Sequence, residues 1–306
     1  MIRGGVAAIA AALLAAGCGS ASPGKPLALP VRAASSPSSH VVTIAMENKE
    51  YGHVIGSGEA PYTNRLARRD GLATRSYGVR HPSLPNYLAL TGGSTFGITS
   101  DCTDCHVAGR NIVDELAAAR ISWKAYMEDM PRPCFQGASS GGYAKRHDPF
   151  MYYDDVAGDP ARCRRVVPYT TLATDLRRGR LPTYTWISPN LCDDTHDCSV
   201  RTGDRFLAHL VPALLRALGP HGFLVLTWDE GTSSSGCCGG AQGGHIATIV
   251  AGPDVRRGAR ASAPVDHYGV LRTIERALGL PALRRAGDPA SGTLDGLFTH
   301  PPHLRT

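Results

Sequence analysis

Two acidic pairs, Glu47-Asn48 and Asp229-Glu230, each follow a short run of apolar and β-branched residues. Three carboxylates and an amide gathered at one place repel one another unless a cation lies among them. Oxygen donors of this kind suit one hard divalent ion, Ca²⁺, Mg²⁺ or Mn²⁺, and do not exclude Zn²⁺. Ser83, within His81-Pro82-Ser83-Leu84-Pro85-Asn86, stands where a helix should begin. Free backbone N–H groups and the positive end of the helix dipole favour an alkoxide there, and the phosphate that it attacks. A lone serine at a helix start is ordinarily a cap, and a lone acid at a strand end is ordinarily solvated. The recurrence of an acidic pair after two separate strands is what points to chemistry. There is no Gly-x-Ser-x-Gly elbow, which speaks against an α/β-hydrolase. Asn190, Asp193, Asp194, His196 and Asp197 form a further polar cluster, and His245 follows Gly243-Gly244. Histidines beside a metal and a phosphate donate hydrogen bonds to phosphoryl oxygens or protonate the leaving alcohol.

The elements that must hold these groups are legible as alternating strands and helices. Residues 40–46 and 222–228 read as buried strands ending in the acidic pairs, 184–188 as a strand ending at Pro189-Asn190, and 246–251 as another. Helical stretches fall at Leu84 to Leu90, Asn111 to Ala119, Gly203 to Leu218 and Tyr268 to Leu278, most of them stopped by glycine. Such alternation predicts an α/β fold, with a mostly parallel sheet covered by helices on both faces. Ligands then gather at the carboxyl ends of the strands. The cysteine-bearing stretch 100–165, dotted with Gly and Pro, reads as a loop-rich insertion over that end.

The chain of 306 residues, 42% hydrophobic, is long enough to bury a large core. Its net charge of +6 comes from scattered arginines, and the aromatics, 7% of residues, do not interleave with them. That pattern offers no nucleic-acid stacking surface but would draw an anionic substrate. Arg3 and the apolar run from Val6 to Ala16 read as an export signal over residues 1–17, too short to span a bilayer. Leu14-Ala15-Ala16-Gly17-Cys18 resembles a lipoprotein box, with its leucine one place farther from the cysteine than usual. The expectation is a lipid on Cys18, residues 18–39 as a flexible tether, and one catalytic domain over 40–306. The mature protein is then exported and membrane-anchored on the outer face of the cell membrane, or otherwise secreted.

Setting Cys18 aside leaves Cys102, Cys105, Cys134, Cys163, Cys192, Cys198, Cys237 and Cys238. An even number in an oxidising compartment suggests disulfides. Short spacing favours Cys102 with Cys105 and Cys192 with Cys198; Cys134 and Cys163 would close a longer loop, and Cys237 and Cys238 would join each other or pair elsewhere. Cys102-Thr-Asp-Cys105-His106 also fits a c-type haem attachment pattern, although the region is polar and surrounded by other cysteines. A non-catalytic ligand-binding lipoprotein is a third reading, against which stands the full set of candidate metal ligands.

Six strings in order carry a family resemblance: Met46-Glu-Asn-Lys49; His81 to Leu90; Ser122 to Pro131; Ile187-Ser-Pro-Asn190 with Asp194-Thr-His-Asp197; Thr227-Trp-Asp-Glu-Gly231; and Leu271 to Leu280. Together they resemble the bacterial phosphoesterase family of acid phosphatases and phospholipases C, within the alkaline-phosphatase-like superfamily. The resemblance implies a three-layer α/β/α sandwich, with one metal held by Glu47, Asn48, Ser83, Asp229 and Glu230 and Ser83 as nucleophile. It also implies that His196 and His245 line the phosphate pocket, with His81 and Asn86 as neighbours; Asn190 is a further candidate for substrate binding. Some members carry a second aspartate where this chain has Glu230. The absence of the long C-terminal extension of the larger phospholipases favours small phosphate esters over a phospholipase C-type diester.

Overall fold

The computed structural model describes residue 1, residues 21–30 and residues 38–304. Cys18 and nearly all of the expected signal segment lie outside the described residues. The main sheet has nine strands: β1 (Val41–Met46), β2 (Gly71–Tyr77), β3 (Trp123–Met127), β4 (Val166–Pro168), β5 (Tyr184–Ser188), β6 (Phe223–Trp228), β7 (His245–Ala251), β8 (Arg260–Ala261) and β9 (Val265–Asp266). They lie in the order β8-β2-β7-β6-β1-β5-β3-β4, with β9 beside β2. In this sheet β7 runs against both of its neighbours and every other pairing is parallel. The main helices are α1 (Pro61–Arg69), α2 (Ser83–Gly92), α3 (Ile112–Ala118), α4 (Thr171–Arg177), α5 (Val200–Ala217) and α6 (His267–Ala277).

Alternation along the central strands builds two cores. Val41 and Ala45 of β1, with Phe223 and Val225 of β6, meet α2, α3 and α6 on one face. Val42, Ile44 and Met46, with Leu224, Leu226 and Trp228, meet α1, α4 and α5 on the other. A strand covered on both faces has no solvent side, which is why these runs are apolar but for the buried Thr43 and Thr227. The result is the expected three-layer α/β/α sandwich. Local signals set the helix starts: Ser199 caps α5, Asp266 caps α6, and Asn111 with Asp114 makes a capping box on α3.

The stretch 100–165 is a loop-rich cover only in part. Trp123–Met127 enters the sheet between β4 and β5, with four of its five residues buried. Its Lys124 interrupts the apolar run, and the strand is too short for its pattern to stand out from the surrounding irregular sequence. The remainder carries two of four cysteine pairs at disulfide distance: Cys102–Cys105, Cys134–Cys163, Cys192–Cys198 and the adjacent Cys237–Cys238, with Cα separations of 5.7, 4.9, 4.7 and 3.8 Å. Haem attachment would need both thiols of Cys102 and Cys105, which are joined to each other, while the exposed His106 lies 3.3 Å from Asp154.

Residues 21–30, part of the segment read as a tether, lie without regular secondary structure against the domain. The Gly24 N–H donates to Asp193 Oδ2 at 2.9 Å, and the Ser22 carbonyl accepts from Asn190 Nδ2 at 3.3 Å. Leu27 and Leu29 pack onto the second core. Composition reads this segment as a spacer because its small and proline residues carry no period; what fixes it is two leucines and a few backbone polar groups.

Candidate active site

β1 and β6 pair so that Met46 stands beside Trp228, and the two strands therefore release Glu47-Asn48 and Asp229-Glu230 side by side. The Asp229 N–H donates to the Met46 carbonyl at 2.8 Å, and the Asn48 N–H to Asp229 Oδ1 at 3.1 Å. Asn48 turns the chain with φ +49°, a left-handed conformation that asparagine tolerates better than most residues. From the next loop, the Thr195 hydroxyl donates to the Glu47 carbonyl at 2.7 Å.

Ser83 opens α2 and is buried. Its Oγ donates to Glu47 Oε2 at 2.9 Å and lies 3.5 Å from Glu230 Oε1. One helical turn on, Tyr87 donates to Glu47 Oε1 at 2.5 Å, so a single helix face presents both hydroxyls to one carboxylate. Pro82 offers no side-chain cap; instead Asp101, from the disulfide-bearing cover, accepts from the Leu84 N–H at 2.9 Å. The loop that leads into α2 crosses the exit of β6 at close range. The Gly78 N–H donates to Gly244 and the Gly243 N–H to Gly78, and a side-chain carbon on Gly78 would stand 2.6 Å from the Gly243 oxygen and 2.8 Å from the Asp229 oxygen. No residue with a side chain fits that crossing.

A second ring of groups surrounds these five. His147, buried, lies with Nε2 3.3 Å from Glu47 Oε1 and Nδ1 3.1 Å from Asp194 Oδ2. These three side chains are close enough to share a cation, but the imidazole itself occupies the space between the acids. Arg146 reaches His196 Nε2 at 3.3 Å and Asp101 at 3.6 Å, and His196 Nδ1 meets Asp197 Oδ1 at 2.6 Å.

Burial, reinforced by crowding, disfavours the charged form of each acid. It pushes Asp229 up to about 7 and Glu230 up to about 9, the latter with help from Asp229 and Asp101. Glu47 is held well above the usual carboxylate range by burial and then by Asp229 and Asp194. Burial holds the His147 imidazole well below its usual value. A divalent cation among these oxygens would reverse the penalty on the acids. The donors fit one. Asp229 Oδ2 is buried with no hydrogen-bond partner, and one terminal atom of the Asn48 amide lies 3.3 Å from Glu47 Oε2 and 2.9 Å from Glu230 Oε1. Presented as oxygen, that atom completes a set of hard donors with Ser83 Oγ.

A profile of the Phosphoesterase family matches residues 57–281, a span that holds Ser83, Asp229 and Glu230 and begins after Glu47 and Asn48. The chain belongs to the phosphoesterase family. It is 34% identical over 246 residues to phosphatidylinositol-3-phosphatase of Mycobacterium tuberculosis, covering 79% of this chain and 77% of that protein. It is 31% identical over 233 residues to an acid phosphatase of Aspergillus fumigatus, covering 72% of this chain but 51% of the fungal protein. The fold is shared with a protein in the alkaline phosphatase superfamily from Vibrio parahaemolyticus, at TM-score 0.57 and 10% identity over 83% of this chain and 71% of that one. It is also shared with murine ectonucleotide pyrophosphatase/phosphodiesterase 5, at TM-score 0.53 and 12% identity over 80% and 96%. The phosphoesterase is accordingly a hydrolase of phosphoric ester bonds.

Within this phosphoesterase, Glu47, Asn48, Ser83, Asp229 and Glu230 come together as the sequence led one to expect, and His196 stands at the edge of the same rim. His81 touches the group through Nδ1, 2.5 Å from Glu230 Oε2, while its Nε2 meets the Ser233 carbonyl at 2.9 Å. Three further expected residues make structural contacts of their own. Asn86 is fully buried and braces the loop before Ser83, accepting from the Val79 and Arg80 N–H groups and donating to the Arg80 carbonyl. Asn190 accepts from the Cys192 and Asp193 N–H groups and donates to Asp129, organising its own turn. His245 begins the reversed strand β7, so it lies on the correct rim, but its ring stacks on Tyr51 at 4.3 Å and Nε2 meets the Thr74 carbonyl. Asp101, Arg146 and His147 were not foreseen. They come from the irregular cover, where no period marks them. Tyr87 did carry a signal, its place four residues after Ser83.

Proposed function

We propose that the phosphoesterase hydrolyses small phosphate monoesters through a phosphoserine on Ser83, with one divalent metal ion held by Glu47, Asn48, Ser83, Asp229 and Glu230. The observation that carries this reading is the Ser83 hydroxyl at the start of α2, bonded to Glu47 and within 3.5 Å of Glu230, amid buried acids. Such an ion, when bound, lowers the pKa of the serine hydroxyl and offsets charge on the phosphoryl oxygens. The chain's own groups do the rest. Ser83 Oγ, its proton lost to solvent, attacks phosphorus as an alkoxide while the ester P–O bond breaks, and the departing alkoxide takes a proton from His196 Nε2, whose Nδ1 is fixed by Asp197 at 2.6 Å. Arg146 donates to that Nε2 at 3.3 Å in the free site; turned to the phosphoryl oxygens, its guanidinium pairs with them and leaves Nε2 free to carry the proton. Water then attacks the phosphoserine, gives its proton to the now neutral His196, and the Oγ–P bond breaks to release phosphate. Rigid strand ends suit a reaction that depends on positioning and electrostatics. Acid-quenching the enzyme during turnover of a radiolabelled monoester should trap label in the peptide that contains Ser83. Label in a different peptide would overturn the mechanism.

The same reading places the enzyme outside the cytoplasm, anchored by a lipid on Cys18. The apolar run ending at Cys18 and the paired cysteines support it. Among the described residues no helix is long and apolar enough to cross a membrane. A Cys18→Ser variant should move from the membrane to the soluble fraction; unchanged fractionation would argue for secretion without an anchor.

A further inference from the structure

Beside the acid-crowded floor lies a pocket of about 380 Å³ with the opposite character. It adjoins the site through His81, which is bonded to Glu230. Its charged lining is Arg80 and Arg285, its neutral polar lining includes Thr95, Gln242 and Tyr268, and no carboxylate lines it.

The two guanidinium groups are presented differently. Arg80 stands three residues before Ser83 on the loop that Asn86 braces, with its backbone N–H bonded to Asn86 Oδ1 at 3.1 Å. Its guanidinium has no protein partner among the described residues. Arg285 is fixed: it stacks on the Tyr268 ring at 4.7 Å, and Nη2 points at the carbonyls of Cys238 and Gly239 at 3.3 and 3.4 Å. The bonded pair Cys237–Cys238 thus shapes the turn that holds Arg285. One fixed and one unpartnered guanidinium around an acid-free pocket form the lining that phosphate oxygens pair with, since the planar fork matches them two at a time.

We propose that this pocket binds a second phosphate on the substrate, so that the preferred substrates are alcohols carrying two phosphates: one ester at Ser83, the other phosphate between Arg80 and Arg285. The inference rests on the reading of Ser83 as the nucleophile.

The test compares kcat/KM for butyl phosphate with kcat/KM for linear diol bisphosphates of increasing chain length. In the wild-type enzyme one spacer should be preferred over butyl phosphate by about ten- to a hundredfold, the range of a charge-assisted contact. In Arg80→Ala and Arg285→Ala that ratio should fall towards one; both substrates are read on the same sample, so partial misfolding cancels. A ratio near one for every spacer in the wild type, or a ratio kept in both variants, overturns the inference while leaving Ser83 chemistry intact. Equilibrium binding of the bisphosphates to Ser83→Ala needs no turnover. Binding that weakens about tenfold or more on adding Arg80→Ala or Arg285→Ala supports the pocket even if no ester is hydrolysed, an outcome that would remove the Ser83 reading instead. Binding indifferent to both arginines overturns the pocket.

Discussion

Replacing Ser83 with alanine is expected to lower kcat/KM by roughly three to six orders of magnitude, the range seen when a nucleophile is removed, while the protein stays folded. The hydroxyl donates one hydrogen bond, to Glu47 at 2.9 Å, and Tyr87 still donates to the same carboxylate at 2.5 Å. Losing one of two donors to a buried acid costs on the order of 1–2 kcal/mol, a few degrees of melting temperature for a chain of this size. The rate loss and the small stability loss must therefore separate. Added divalent metal should not restore Ser83→Ala, because the missing atom is the attacking one. Activity within tenfold of wild type in a folded Ser83→Ala variant would sink the mechanism.

Asp229→Asn is expected to fail in a different way. The side chain is buried, Oδ2 has no partner, and Oδ1 accepts from the Asn48 N–H. Asparagine keeps that acceptor and the shape but removes one charge from a group of three acids. Divalent-metal affinity, measured by calorimetry, should drop by at least about ten- to a hundredfold, as outer-shell changes already do at metal sites, and activity should return in part when metal is supplied in excess. Without metal the sign reverses. Relief of like-charge crowding should make metal-free Asp229→Asn melt higher than the metal-free wild type. A variant that binds metal as tightly as the wild type would remove Asp229 from the ligand set.

How far the site could be read from the chain depended on whether a residue's surroundings were local. Glu47, Asn48, Asp229 and Glu230 were legible because each pair terminates a central strand whose apolar run ends abruptly. Ser83 was legible because Gly92 and Gly93 close a short helix that must begin near it. Gly71–Tyr77 was not legible, because Thr74, Arg75 and Ser76 make it polar and an irregularity between Ala73 and Ser76 breaks its alternation. His147 sits in the run Lys145-Arg146-His147-Asp148, where only folding of the cover reveals that the imidazole turns inward between Glu47 and Asp194. For His245 the surroundings are again distant in sequence. Its place at a strand boundary was correct, but Tyr51 and Tyr77, distant in sequence, claim its ring.

The reversed strand β7 has a consequence for how such an enzyme can be altered. Because β6 leaves the sheet and β7 re-enters it at the same rim, residues 229–244 form a return that begins beside Ser83 and ends against Gly78, on the loop that leads to Ser83. Its two feet are pinned by Gly78 against Gly243 and Asp229, but its tip, with the half-buried Cys237–Cys238 turn and the exposed Gly239-Gly240, meets the helical layer through Arg285, which reaches the Cys238 and Gly239 carbonyls. Segments of that kind accept exchange and lengthening without loss of the scaffold. The return is thus a cassette: grafting a different tip between Thr232 and Gln242 would rebuild one wall of the substrate chamber while the groups that cleave the ester stay where the parallel strands put them.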